Sequence, residues 1–183
     1  FEGLVGAHRN GTGGPNDPAV VALARIRQLA AHEVGHALGL LHNFAGSTQA
    51  RASVMDYPAP RIGLVGGVPD LSDAYGNGTG RWDDYVVKWL YGSANEDEAQ
   101  ATASAGVKEA LRYATDSDAR SPDTGQPWGS LWDDGADPAA ELDRMAGVRQ
   151  AALSRFGLSA LSPGEAVANL RRKFVPIWLL DRY

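Results

Sequence analysis

The chain of 183 residues contains no cysteine. Disulfides and thiolate metal sites are therefore excluded, and any metal must be held by histidine and carboxylate. No stretch approaches the roughly 20 consecutive apolar residues of a membrane span. Nor is there a long basic run; the largest cluster, Arg171, Arg172 and Lys173, reads as a solvated helix face. With 17 Lys and Arg against 22 Asp and Glu the net charge is −5. Neither nucleic acid nor an anionic membrane is expected as a partner. The chain starts at Phe1 with no signal-peptide pattern and reads as a piece of a longer precursor. What is present is ordinary for a globular domain: 44% hydrophobic and 21% charged residues, which argues against disorder. The length suffices for one domain with a real core.

Along the chain, residues 1–16 are glycine-rich and loop-like. Asp17 followed by Pro18 is a helix start, because Asp caps and the missing proline N–H costs nothing in the first turn. Val21, Leu23, Ala24, Ile26, Leu29 and Ala30 then give a broad apolar surface at helical spacing, which predicts a largely buried helix to about Leu38. Residues 43–80 read as a long irregular stretch with Pro58, Pro60 and Pro69. Helices are expected over 81–91, closed by Gly92, over 96–105 as a solvated helix, and over 138–156, closed by Gly157. The last of these puts Leu142, Met145, Val148, Ala152 and Phe156 on one side. Ser162 and Glu165 stand at capping-box spacing and predict a final helix toward Tyr183, broken near Pro176. The expected class is mainly α with long loops, in one fragment of two parts, 17–92 and 93–183.

One segment carries chemistry. Residues 32–42 read His-Glu-Val-Gly-His-Ala-Leu-Gly-Leu-Leu-His. His32 and His36, four apart, project from one face of a helix, one turn above the other, and two such imidazoles can share a Zn²⁺. Glu33 stands beside the metal without ligating it, where it can take a proton from metal-held water. Gly39 lets the chain leave the helix, since glycine tolerates the left-handed conformation at a helix end. The turn brings His42 round as a third ligand, and three protein ligands leave one position open, the arrangement of a catalytic zinc site. From the chain's own composition, His-Glu-x-x-His arises by chance in roughly one such chain in three hundred. His8 is the remaining histidine and reads as a loop residue.

The pattern His-Glu-x-x-His-x-x-Gly-x-x-His resembles the metzincin signature of zinc-dependent endopeptidases. Thirteen residues past His42, the run Ser53-Val54-Met55-Asp56-Tyr57-Pro58 is similar to the family's Met-turn. The resemblance implies that Met55 forms an apolar floor beneath the zinc imidazoles, a role that suits a flexible thioether. Ser-x-Met-x-Tyr is like the astacin and serralysin branches, which implies that Tyr57 ligates zinc or stabilises the oxyanion. His42-Asn43-Phe44, residues 51–60, residues 70–75, residues 132–138 and the terminal Val175-Pro176 and Arg182-Tyr183 resemble more closely an uncharacterised bacterial family of large, exported metzincin-type proteins. The Asp residues of 132–138 lack EF-hand spacing and are better explained by capping and turn chemistry.

The resemblance implies a peptide or protein substrate, a Zn²⁺ cofactor and an extracellular or periplasmic location. It also implies a twisted sheet ahead of the active-site helix, with an edge strand that binds substrate backbone. Only 31 residues precede His32, so most of that sheet is expected to lie in an upstream part of the same precursor. The expected activity is a metalloendopeptidase with Glu33 as general base. Ile62, Leu64 and Val65 are an expected wall for an apolar substrate side chain. The competing expectations are a non-hydrolytic, zinc-containing module that binds protein or glycan, and a zinc amide hydrolase acting on non-peptide bonds.

Overall fold

The computed structural model describes residues 1–120, 123 and 125–174. In chain order these form helix α1 (Glu2–Val5), helix α2 (Pro18–Ala37), strands β1 (Gly63–Val65) and β2 (Val68–Asp70), and helices α3 (Arg81–Tyr91), α4 (Glu96–Lys108), α5 (Asp116–Ala119), α6 (Pro138–Arg155) and α7 (Leu170–Lys173). Short 3₁₀ turns stand between them. The chain is mainly α, with one two-stranded sheet among the described residues. No described helix is long and apolar enough to cross a membrane.

Two compact units divide the chain, each assembled from segments distant in sequence. The first comprises Phe1–Ile26, Pro60–Gly76 and Pro138–Tyr183. Its core gathers Leu4, Val5, Val21, Ile62, Leu71, Ala74, Val148 and Ala152. Leu4, Val5 and the buried Ala7 come from the glycine-rich leader, which forms α1 and a 3₁₀ turn where a loop was expected. The expected long stretch after residue 43 likewise contains a hairpin. Gly63 faces Asp70 and Val65 faces Val68. Gly66 and Gly67 make the two-residue turn with φ of 58° and 74°, left-handed at both positions as a type I′ turn requires. Ile62 is fully buried in the core, whereas Leu64 and Val65 are exposed. On α6, Met145, Val148 and Ala152 are buried as the periodicity predicts, while Leu142 stays exposed. Buried Glu141 is paired with Arg144, whose guanidinium also donates to the Ile62 carbonyl.

The final helix departs from expectation. Glu165 Oε2 does accept from the Ser162 amide at 2.9 Å, so the local capping contact forms. Gly164, however, adopts φ of 79°, outside the right-handed helical region, and the segment breaks into turns before the short α7. Lys173 there is not simply solvated: its Nζ lies 2.7 Å from Glu2 Oε2 and 3.0 Å from Glu165 Oε2. The break expected near Pro176 lies outside the described residues.

The second unit comprises Arg27–Ala59 and Asn77–Asp137. Leu40, Ala52, Val54, Met55, Trp82 and Val86 form its core. Asn43, fully buried, fixes its inner loop: its Nδ2 donates to Arg112 O, and its Oδ1 accepts from the Ala45 and Ala114 amides. Asp133 and Asp134 tie their segment to distant residues of the same unit. Asp133 accepts from Ser47 Oγ at 3.1 Å through its side chain and from the Ala59 amide through its carbonyl. Asp134 pairs with Arg51 at 3.5 Å.

Helix α2 confirms its predicted start. Asp17 Oδ1 accepts from the Ala19 amide at 2.9 Å, and the helix ends at Ala37. It is not largely buried: Leu23, Ile26, Leu29 and Val34 are 51%, 59%, 42% and 59% exposed. The apolar periodicity is real, but one of its faces has no cover among the described residues.

Asp56 gives a pH prediction. It is buried, and its two oxygens accept from the Ser47 and Tyr57 amides at 2.7 Å each. Burial, with the nearby Asp133 charge, pushes its carboxyl up to about 8 from 3.8. The folded chain thus holds a proton that the unfolded chain releases, so this contribution to stability is complete below about pH 4 and declines as pH rises toward 8. In denaturant titrations between pH 5 and pH 8, Asp56→Asn is expected to show a shallower loss of stability than the parent. Parallel slopes would refute the assignment.

Candidate metal centre

His32 and His36 sit one turn apart near the end of α2. The helix then stops in a way that delivers His42. The Gly39 amide donates to His36 O at 2.9 Å and the Leu40 amide to Gly35 O at 3.0 Å, while Gly39 takes φ of 84°. This is a Schellman ending, in which a glycine in the left-handed region reverses the chain and the next residue packs inward. Leu40 is that residue, 5% exposed. Two residues later the His42 ring lies 4.8 Å from His36 and 5.4 Å from His32, between ring centroids. His32 and His36 are 4.7 Å apart on the same measure. One ring nitrogen from each lies within 4.8 Å of the other two.

Each imidazole is oriented through Nδ1. His32 Nδ1 donates to Val54 O at 2.7 Å, His36 Nδ1 to Leu40 O at 2.8 Å, and His42 Nδ1 to Asp116 Oδ2 at 2.6 Å. Two backbone carbonyls and a carboxylate can only accept, so these partners assign the proton to Nδ1 in every ring. Each Nε2 of the neutral ring then carries a lone pair. His42 Nε2 is buried and has no hydrogen-bond partner among the described residues. A buried acceptor left so costs on the order of 1–3 kcal/mol, and a metal ion is what a lone pair among three imidazoles suits. The donor set, all nitrogen and without cysteine, fits Zn²⁺. Burial lowers the His32 pKa, and His36 and His42 beside it push the same way; the Val54 hydrogen bond only partly opposes them. The result favours the neutral, ligating form.

Met55 is fully buried. It lies against Gly35, the residue between the two helical histidines. A Cβ built on Gly35 would stand 2.2 Å from Met55 Sδ. Gly35→Ala gains up to about 1 kcal/mol of helix propensity but forces the thioether aside, at about 1–3 kcal/mol. A net loss of stability is expected by chemical denaturation, and most of it should vanish when Gly35→Ala is made in a Met55→Ala background. Equal effects in both backgrounds would disprove the contact's role.

The turn that carries Met55 is held by Asp83, at the start of α3. Asp83 is 3% exposed and accepts from Ser53 Oγ at 2.7 Å, the Val54 amide at 2.8 Å and the Gly80 amide at 2.7 Å. Burial raises its pKa while those three donors oppose the rise. Val54, fixed at its N–H by Asp83, offers its carbonyl to His32.

Tyr57 packs among the histidines. Its ring centroid is 4.6 Å from His42, 5.4 Å from His32 and 5.4 Å from Phe44. On its other side Trp132 stacks at 5.0 Å, and the Trp132 amide donates to Tyr57 O at 2.8 Å. Trp132 holds φ of 65°, a left-handed conformation costly for an aromatic residue and paid for by this packing. Glu33 is exposed on α2 and engages no described residue in a hydrogen bond or ion pair. His8 lies in the 3₁₀ turn of residues 7–9, outside the group of three.

Three residues about the site have no signature in the motif: Asp83, Asp116 and Trp132. Asp83 could have been found, since it stands three residues after Gly80 at a helix start, where a carboxylate reaches back to the first amide. Asp116 and Trp132 reach the site only through the fold.

A family model described as Met-zincin matches residues 14–183. No curated protein and no solved structure matches the chain. The match spans nearly all of the chain and includes the three gathered histidines: the chain belongs to the Met-zincin family and is a zinc metalloprotease-like domain.

Proposed function

We propose that this domain is a zinc-dependent endopeptidase with Glu33 as its general base. The observation that carries the reading is the set of three imidazoles tied at Nδ1 to acceptors, with Nε2 left for a metal. A zinc ion held by His32, His36 and His42 supplies Lewis acidity toward a peptide carbonyl and toward water. Glu33 follows His32 directly and its carboxylate is unengaged. It takes the proton of the attacking water and returns it to the leaving amine. Tyr57, packed against His32 and His42, is the hydroxyl donor to the developing oxyanion. Met55 and Gly39 serve structure: one underlies the helical histidines, the other turns the chain toward His42.

The substrate is a peptide or protein, and the exposed apolar face of α2, with Leu23 and Ile26, is covered by the upstream part of the same precursor. The place of action is extracellular or periplasmic. Digestion of a broad peptide library by the zinc-loaded protein, upstream part included, tests the activity. Cleavage that a chelator stops and added zinc restores is expected. A zinc-loaded protein that cleaves no peptide would contradict the proposal in favour of a non-hydrolytic binding module.

A further inference from the structure

His42 is held differently from its two companions. His32 and His36 donate to backbone carbonyls, of Val54 and Leu40. His42 donates to a side-chain carboxylate 74 residues away in sequence. That carboxylate is itself fixed. Asp116 Oδ1 accepts from Arg120 Nε at 2.6 Å, one turn further on, and the Arg120 guanidinium lies 5.7 Å from the centre of the Phe44 ring. Phe44 stands two residues after His42, and its amide donates to Ala114 O at 2.7 Å. Asn43 binds the Arg112 carbonyl and the Ala114 amide from the same side. The Phe44 backbone bond and the two Asn43 side-chain bonds to 112–114 thus set residue 116 in register with residue 42, and Arg120 aims the carboxylate. We infer that Asp116, oriented by Arg120, is the positioning residue of the third metal ligand and sets how tightly the site holds zinc.

A carboxylate accepts only, so it locks His42 in the Nδ1–H form and leaves Nε2 toward the other two imidazoles. Its negative charge also makes the imidazole a stronger donor than a carbonyl partner does, and loss of such an outer partner typically weakens metal binding by 10–100-fold. The Asp116 side chain is 46% exposed, so removing it leaves no cavity in a core. The effect on zinc should therefore be separable from an effect on folding.

The inference rests on the metal-centre reading above, and its test keeps the two apart. Zinc affinity is measured by competition with a chelating dye for the parent chain, Asp116→Asn and Asp116→Ala. Histidine side-chain nitrogen NMR on the metal-free proteins reports which ring nitrogen carries the proton. The parent should show His42 as the Nδ1–H form alone. Asp116→Ala should lose about 10–100-fold in zinc affinity and show both His42 tautomers, with His32 and His36 unchanged. Asp116→Asn, whose amide oxygen still accepts but without charge, should fall between. Equal zinc affinity in parent and Asp116→Ala overturns this inference and leaves the metal centre standing. So does a His42 ring that mixes tautomers in the parent. A folded parent that takes up no zinc overturns the metal reading and the inference together.

Discussion

Glu33→Gln is expected to lower peptide hydrolysis by about 10²–10⁴-fold, the usual contribution of a positioned general base, while zinc uptake stays unchanged. The two halves of this prediction have separate causes. The glutamine side chain has nearly the same shape but cannot take a proton at neutral pH. Glu33 is exposed and bonded to no described residue, so its replacement leaves the packing around His32 intact. The three histidine Nδ1 contacts go to Val54, Leu40 and Asp116, none of which touches position 33 in the hydrogen-bond network. Rates on one cleavable peptide, with zinc measured on the same samples, check both halves. Full activity in the variant would remove Glu33 from the chemistry. Lost zinc would assign it to the structure of the site.

Asp83→Ala carries the largest expected effect on stability. Three donors, the buried Ser53 Oγ and Val54 amide and the part-buried Gly80 amide, converge on this one carboxylate. Removing it leaves them without an acceptor, at about 1–3 kcal/mol for each that water cannot reach. A loss of about 3 kcal/mol or more is expected, which for a chain of this size corresponds to roughly 6–12 °C in Tm. Zinc affinity should fall as well, because the Val54 carbonyl orients His32 and the Val54 amide is what Asp83 holds. Asp83→Asn should lose less, since its amide oxygen keeps part of the network. Calorimetry on the metal-free variants measures the effect free of ligand stabilisation. A variant within about 1 kcal/mol of the parent would show that the turn is held by its apolar contacts alone.

Of these two carboxylates, Glu33 was legible in the sequence and Asp83 was not. The start and stop of α2 depend on residues within one turn of each end, Asp17 and Gly39, and both act in the structure as their chemistry predicts. Gly92 also closes α3, but at φ of −95°, without the left-handed turn that Gly39 makes. The spacing of His32, His36 and His42 was legible because a helix and one glycine turn fix all three positions. The hairpin of 63–70 escaped because its strands have only three residues each, although Gly66-Gly67 is a turn signal in itself. The helix expected after Ser162 shows the opposite error: the capping contact formed, and Gly164 then stopped propagation. Burial of α2 was misjudged because periodicity reports which face is apolar, not what covers it. Asp116 had no local signal at all. Its partner is 74 residues distant, and only the pairing of 43–44 with 112–114 brings the two together.

The central claim is that His32, His36 and His42 form a zinc site. The most direct test is elemental analysis of the purified chain, prepared without added metal and again after zinc addition and exhaustive dialysis. The geometry predicts about one zinc per chain, the stoichiometry of a single three-histidine centre, and its loss in His42→Ala. A folded chain that retains no zinc after loading, or a His42→Ala variant that retains as much as the parent, would contradict it.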